Sequence, residues 1–338
     1  MEYRARMQLK KFSIFNQEMQ EFIKLNSNCI FNSADWLTIL KDGLDLDVRY
    51  YGLECDGQLV LAIPLVKLDF KLVRIAYSNI PYGGFIGERQ YISDFILLLE
   101  NTLKTEGTHI LRITKKFNDN FEYFKGTRVQ HGYQQVIDIE GLTNDLLWQG
   151  YRKRTRRDIR RAEKLGVVAT RISKRSELEI LYQLYQDTVK RNNTYTTWTK
   201  KAFYSIYDNL FLNGKADILF AQLKDKYIAG VIIIYSSDIV YYFMSASLTN
   251  YLSFCPNDLL LHEVISLGIQ KNKKTVDLMT SKDTDLELMK FKEKWGAVCH
   301  PFDICGKDIF RFRARLWDQA WKIANSRIGG ALIRSFRR

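Results

Sequence analysis

Residues 216–235 read ADILFAQLKDKYIAGVIIIY. Two apolar-rich runs, 218–223 and 227–235, flank the polar Lys224-Asp225-Lys226, a pattern that predicts a β-hairpin. A strand at 239–246, a helix at 257–271 and a short strand at 275–278 are expected after it. Helices at 176–192 and 199–212 are expected before it. The same order recurs upstream. There, residues 48–67 read VRYYGLECDGQLVLAIPLVK, with Asp56-Gly57 as the turn dipeptide of a hairpin. Helices at 17–26 and 33–40 precede it, and a strand at 72–77, a helix at 91–106 and a strand at 109–114 follow. The turn recurs after 169 residues, and the later helix and strand after 166 each. Equal order at near-equal spacing predicts two copies of one mixed unit.

Strands interleaved with helices place the chain in the α/β class, with mixed sheets flanked by helices. Its 338 residues also suit two domains, at about 100–200 residues each. The expected blocks are 1–148, 149–306 and a terminal helix in 307–338. Apolar residues make up 46% and charged residues 26%, which excludes disordered and collagen-like classes. Five cysteines without a C-x-x-C pair argue against a disulfide framework or a zinc cluster. The four histidines form no H-E-x-x-H spacing. No apolar leader follows Arg4, Arg6, Lys10 and Lys11, and no apolar run is long enough to span a bilayer. A cytoplasmic monomer is the expectation.

The net charge of +13 is not spread evenly. Residues 1–150 hold 17 basic and 19 acidic residues, whereas 151–338 hold 34 and 19. Two blocks carry the excess: 151–175, with 11 basic residues against 2 acidic, and 307–338, with 9 against 2. Blocks of this kind meet phosphate, whether of nucleic acid, of lipid head groups or of a nucleotide-linked substrate. The first reads as a helix from Tyr151 to Gly166, closed by the glycine, with a thin apolar stripe of Tyr151, Ile159, Ala162 and Leu165. A solvated face and an anion site are both open readings. In the second, Phe310, Trp317, Ala324 and Ala331 recur every seven residues, with Ala314, Trp321 and Ile328 between them. This is a basic amphipathic helix ending near Gly329-Gly330, which either docks on its own domain or lies on an anionic membrane.

An ordered set of stretches resembles the Fem-type peptidoglycan-bridge aminoacyltransferases and the wider double-domain GNAT-like N-acyltransferases. The set begins with Phe31-Asn-Ser-Ala-Asp-Trp36, Pro81-Tyr-Gly-Gly84 and the basic helix Arg152 to Gly166. It continues with Ala216-Asp-Ile-Leu-Phe-Ala, Ala229-Gly-Val-Ile-Ile and Tyr241-Tyr-Phe-Met-Ser-Ala-Ser247. Pro256-Asn-Asp-Leu-Leu-Leu261, Val276-Asp-Leu278 and Phe291-Lys-Glu-Lys-Trp-Gly296 complete it. The resemblance implies two tandem GNAT-like acyltransferase domains with an acceptor channel between them, and transfer of an acyl or aminoacyl group to an amine. The implied acceptor is a nucleotide- or lipid-linked cell-envelope precursor, such as a peptidoglycan peptide. The implied co-substrate is aminoacyl-tRNA or acyl-CoA. The Arg/Gln-x-x-Gly-x-Gly/Ala loop that cradles CoA pyrophosphate in many GNAT enzymes is missing after the strands ending near Thr114, Tyr235 and Ser247. A long helical arm inserted in some Fem proteins is also missing.

Phe291-Lys292 matches the family's Phe-Lys pair at the reaction centre, which implies that Lys292 stabilises an oxyanion or a substrate phosphate. A surface lysine is the plain alternative. Tyr242 matches an aromatic strand position lining the acceptor channel, against the alternative of a core tyrosine. Arg154, Arg157 and Arg161 are candidates to clamp a diphosphate or a tRNA backbone. Tyr82, Gly83 and Gly84 are candidates to face the acceptor, although Pro-Tyr-Gly-Gly is also ordinary turn chemistry. Asp277 and Ser281 follow the last short strand, where sites and caps both occur. No G-x-S-x-G elbow or Walker loop appears, so direct attack by the amine is expected. An acyl-CoA-dependent N-acyltransferase acting on an amino sugar in polysaccharide synthesis is the alternative. A non-catalytic RNA-binding protein ranks last, because only Tyr151 is aromatic in 151–175.

Overall fold

A computed structural model of the chain describes residues 6–325, apart from 71, 118, 120, 123, 125, 193–197 and 283–284. In chain order it contains β1 (Met7–Phe12), α1 (Gln17–Asn26), α2 (Ala34–Thr38), β2 (Asp47–Cys55), β3 (Gln58–Asp69), β4 (Arg74–Tyr77) and β5 (Ile86–Gly87). Next come α3 (Ile92–Thr105), β6 (Ile110–Lys116), β7 (Arg128–Asp138), α4 (Asn144–Gly150), α5 (Lys153–Lys164), β8 (Val167–Arg171), α6 (Leu178–Arg191) and α7 (Lys200–Ile206). The chain continues through β9 (Ala216–Leu223), β10 (Lys226–Tyr235), β11 (Ile239–Ser247), α8 (Pro256–Gln270), β12 (Thr275–Lys282), α9 (Leu286–Glu293), β13 (Val298–Asp308) and α10 (Arg311–Asn325).

The chain packs as two units. The first comprises residues 1–27, 46–130 and 303–338, and the second 28–45 and 131–302. These units are cut differently from the sequence blocks 1–148, 149–306 and 307–338. Residues 28–45 and 131–148 pack with the second unit, and the terminal helix packs with the first.

In the first unit, β1 to β4 form an antiparallel meander, after which β4 pairs with β6 in parallel. The Asp56-Gly57 turn has φ values of 50° and 85°, so both central residues take the left-handed conformation that a tight hairpin demands. Helix α3 covers this sheet, with Phe95, Leu99 and Leu103 buried against Tyr51, Leu61 and Ile63. Helix α10 docks through Ala314 on Val73, Ile75 and Ile110, and Trp317 packs alongside. The amphipathic stripe read from the sequence thus serves, in its first two turns, to seat the helix on its own unit. Arg327, Ile328, Ala331 and the stop at Gly329-Gly330 lie outside the described residues.

The second unit repeats the plan. Strands β8 to β11 are antiparallel, and β11 then pairs with β12 in parallel. The turn between β9 and β10 is the two residues Lys224 and Asp225, one shorter than read from the sequence. Helix α8 fills one face, burying Leu260, Leu261, Val264 and Ile265 against Val231, Ile233 and Val240. Helix α5 joins the same core through Ile159 and Ala162, and Gly166 follows it at φ 80°. Tyr151 stands before α5 rather than in it: it caps α4, and its hydroxyl meets His262 at 3.1 Å.

Segment 28–45 belongs to this unit through aromatic packing. Phe31 meets Tyr241 at a centroid distance of 4.7 Å, and Trp36 meets Phe243 edge-on at 5.3 Å. Ser33 caps α2, and the Thr199 hydroxyl donates to the Gly43 carbonyl at 2.6 Å. The Phe31–Trp36 motif is therefore a packing element.

Candidate functional site

Strands β11 and β12 are paired over only three residues, Ile239–Tyr241 against Thr275–Asp277. Beyond this point β11 keeps its hydrogen bonds to β10, while β12 continues along β7 with a register shift between Asp277 and Thr280. The shift is a bulge, and Met279 sits in it at φ 64°, a strained conformation for a non-glycine residue. Side chains hold the bulge in place. Asp277 accepts from the Met279 amide at 2.7 Å and from Gln134 Nε2 at 2.6 Å.

Helix α9 delivers Lys292 to this bulge. Asp285 caps the helix, and Lys292 is its buried residue, 5% exposed. The ammonium donates to Met279 O at 2.9 Å, Thr280 O at 3.3 Å and Ser281 Oγ at 2.8 Å. Ser281 passes the contact on, donating to Gln135 Oε1 at 2.9 Å. Burial pulls the Lys292 pKa down to about 8, against the opposing pull of Asp277, Asp285 and Cys299. The structure thus brings together Lys292, Ser281 and Asp277. All three ammonium protons are engaged with the bulged strand, so in this state Lys292 clamps backbone.

Two residues further on, Lys294 forms a second, partly buried centre that sequence reasoning missed. Its ammonium bridges Asp158 of α5, at 3.0 Å, and Asp258 in the first turn of α8. Burial raises the Asp258 pKa, only partly offset by Lys294. Burial pushes Asp158 the same way, but hydrogen bonds from Lys294 and Arg157 leave it below the usual carboxylate range. Lys294 also lies over the rings of Phe291 and Trp295, at 5.6 and 5.7 Å. One signal was available: Asp158 is one of only two acids in the first basic block.

Tyr242 belongs to the same core as Trp295 and Leu259. Burial raises its phenol to about 12. Trp295 Nε1 finds no hydrogen-bond partner among the described residues, and the Tyr242 hydroxyl faces Ser245. Unpaired buried donors cost free energy, which marks the place as one where a ligand group would be favoured.

The exposed side of α5 lines a groove of about 1250 Å³ with Lys153, Arg154, Arg156, Arg157, Arg160, Arg161 and Lys164. The seven cations are not equivalent. Arg156 donates to the Trp148 and Gln149 carbonyls at the end of α4, and Arg160 stacks on the Trp148 ring at 5.2 Å. Arg154 and Arg157 lean on Asp158, at 3.8 and 3.0 Å. Lys153, Arg161 and Lys164 make no ion pair among the described residues. Of the three arginines singled out by sequence, Arg161 presents its full charge to the groove.

Tyr82, Gly83 and Gly84 lie in the first unit, within a close-packed turn. Tyr82 is buried. The Gly83 amide donates to Thr114 Oγ1 at 2.9 Å, and a Cβ there would meet the Ser78 carbonyl oxygen at 1.4 Å. Gly84 takes φ 127°. Among the described residues no group of three or more His, Cys, Asp or Glu could hold a metal ion. No described helix is long and apolar enough to cross a membrane.

Comparison with known proteins gives this architecture its class. Residues 149–293 match the acetyltransferase (GNAT) domain family. The solved structure of FemX shares the fold over 87% of this chain and 96% of its own, with a TM-score of 0.63 and 17% identity. A tandem GNAT protein from the clavulanic acid biosynthesis pathway covers 90% of this chain and 99% of its own, with a TM-score of 0.56 and 8% identity. L-PGS from Bacillus licheniformis covers 87% and 92%, with a TM-score of 0.58 and 13% identity. No curated protein matches the sequence. The match places an acetyltransferase (GNAT) domain at residues 149–293, and the solved structures share the fold of the chain around it. Its two units repeat one plan, an antiparallel run of strands followed by one parallel pairing.

Proposed function

We propose that the chain joins an aminoacyl group to an amine of a cell-envelope precursor, with aminoacyl-tRNA as donor. The observation that carries the reading is the α5 groove, with seven cations along one helix of the GNAT domain. Such a row suits the extended phosphate backbone of a nucleic acid. The complementary observation is the turn from β11 into α8. It runs through a short helix, Thr249–Phe254, to Cys255 and Pro256 without a single glycine. The close backbone cradle that suits a CoA pyrophosphate needs glycine there.

The reaction is direct. The neutral amine attacks the ester carbonyl, a C–N bond forms and the C–O bond to the tRNA ribose breaks. The amine proton leaves as the ribose oxygen gains one. Tyr242 is the proposed donor to that oxygen: its raised pKa keeps it protonated, and the proton lost by the attacking amine restores its hydroxyl. Lys292 fixes the bulged edge of β12, so that Met279, Thr280 and Ser281 present a rigid wall to the acyl group. Asp277 and Gln134 hold the same wall from the other side. Tyr82 and Gly83 are packed within the first unit and carry no part of this reading.

A second reading, acyl-CoA-dependent N-acylation of an amino sugar, is favoured by the family match to an acetyltransferase domain. Filter binding separates the two. Under the first reading, bulk tRNA binds with a steep salt dependence and excess CoA does not displace it. Saturable CoA binding with no retention of tRNA overturns the first reading in favour of the second.

A further inference from the structure

We infer that the outward face of α10 docks the chain on an anionic lipid surface. At about 3.6 residues per turn, Phe312 and Leu316 point away from Ala314, the residue that seats the helix. A terminal helix whose only role is to cover its own unit shows polar residues on its outer face. This helix shows Phe312, 74% exposed, and Leu316, 44% exposed. The loop between β3 and β4 extends the patch. Leu72 is 70% exposed there, and Phe70 stacks on Trp317 at 4.5 Å. Arg313 ties the two elements together by donating to the Leu72 carbonyl at 3.1 Å.

The charges around this apolar stripe choose its occupant. Arg311 and Arg315 flank it on one side and Arg313 on the other, all exposed. The nearby acids are already paired: Asp318 with Arg128, and Asp69 with Arg74 at 3.1 Å. An apolar stripe between arginines matches the boundary between anionic head groups and acyl chains, where rings and aliphatic tips enter and guanidinium groups stay with phosphate. The inference is independent of the donor and acceptor of the transfer reaction.

Co-sedimentation of the full chain with vesicles tests it. The chain should pellet with phosphatidylglycerol vesicles and not with phosphatidylcholine vesicles, and the bound fraction should fall as salt rises. Replacing both Phe312 and Leu316 by serine should weaken partitioning by about tenfold or more, as should Arg311→Glu with Arg315→Glu. These residues are exposed, so the variants should keep the wild-type circular dichroism melt. Three results overturn the inference: wild-type chain left in the supernatant with phosphatidylglycerol; a double-serine variant that pellets like wild type; or a dimer in light scattering that the double-serine variant abolishes, which would make a second copy the occupant.

Discussion

The Lys292 ammonium donates to the Ser281 hydroxyl at 2.8 Å, joining α9 to a bulge in β12 that opens where β11 and β12 part. This contact makes Lys292 a positioning residue with a readable signature. Lys292→Met removes three hydrogen bonds and leaves two carbonyls and a hydroxyl without their donor. Transfer activity should fall by about a hundredfold or more, expressed mainly in kcat because the wall and not the donor grip is lost. Steady-state kinetics on Lys292→Met and Lys292→Arg check this, with arginine expected to restore only part of the rate.

The same lysine gives a pH signature in stability. Its folded pKa, about 8, lies below the ordinary value of 10.5. Between those values the unfolded chain binds more protons than the folded one, so this group makes stability rise with pH across that window. Urea unfolding from pH 7 to pH 10 should show the rise in wild type, and the increment should be missing from Lys292→Met.

Breaking the Lys294 bridge should be costly in a particular way. Lys294→Met leaves Asp258 without its cation and Asp158 with Arg154 and Arg157 alone, at a cost of about 1–3 kcal/mol. Adding Asp158→Asn and Asp258→Asn should recover most of that loss. The two acids also pull stability in opposite directions with pH. The depressed pKa of Asp158 contributes stability above its unfolded value that is lost as pH falls through the folded one. The raised pKa of Asp258 makes its ionisation unfavourable to the fold, so acidification relieves it. Chemical denaturation of the single and triple variants at several pH values measures both effects.

Glycine positions separate steric from conformational demands. Gly83→Ala places a methyl group inside contact distance of the Ser78 backbone and should cost about 3 kcal/mol or more. Gly57→Ala meets nothing within 4 Å and pays only for its φ of 85°, so about 1 kcal/mol is expected. Thermal melts of the two variants give the comparison.

In the groove, Arg161→Ala and Lys164→Ala should each weaken tRNA binding uniformly and lower the salt slope by about 1. Arg156→Ala should instead lower stability, because its guanidinium closes the end of α4. Salt-titrated filter binding beside thermal melts distinguishes the two outcomes.

Local patterns made much of this molecule legible from its sequence. Both hairpins and the basic helix closed by Gly166 follow from turn chemistry and periodicity. Strands β1, β7 and β13 were not legible. Strand β7, for instance, pairs with β12 more than a hundred residues away, and nothing in its own composition announces that partner. The assignment of 28–45 to the second unit was hidden for the same reason: its anchors, Tyr241 and Phe243, are distant in sequence. The site divides along the same line. Lys292 was visible through its neighbour Phe291, whereas Lys294 gains its meaning only when α5 and α8 bring Asp158 and Asp258 to it.

The most direct test of the central claim is a mass profile of envelope peptides and glycans from cells with and without the gene. The account predicts that the peptide stem loses an amino-acid-sized increment on deletion. Wild-type protein should restore it, and Lys292→Met and Tyr242→Phe should not. An unchanged profile in both peptides and glycans would contradict it.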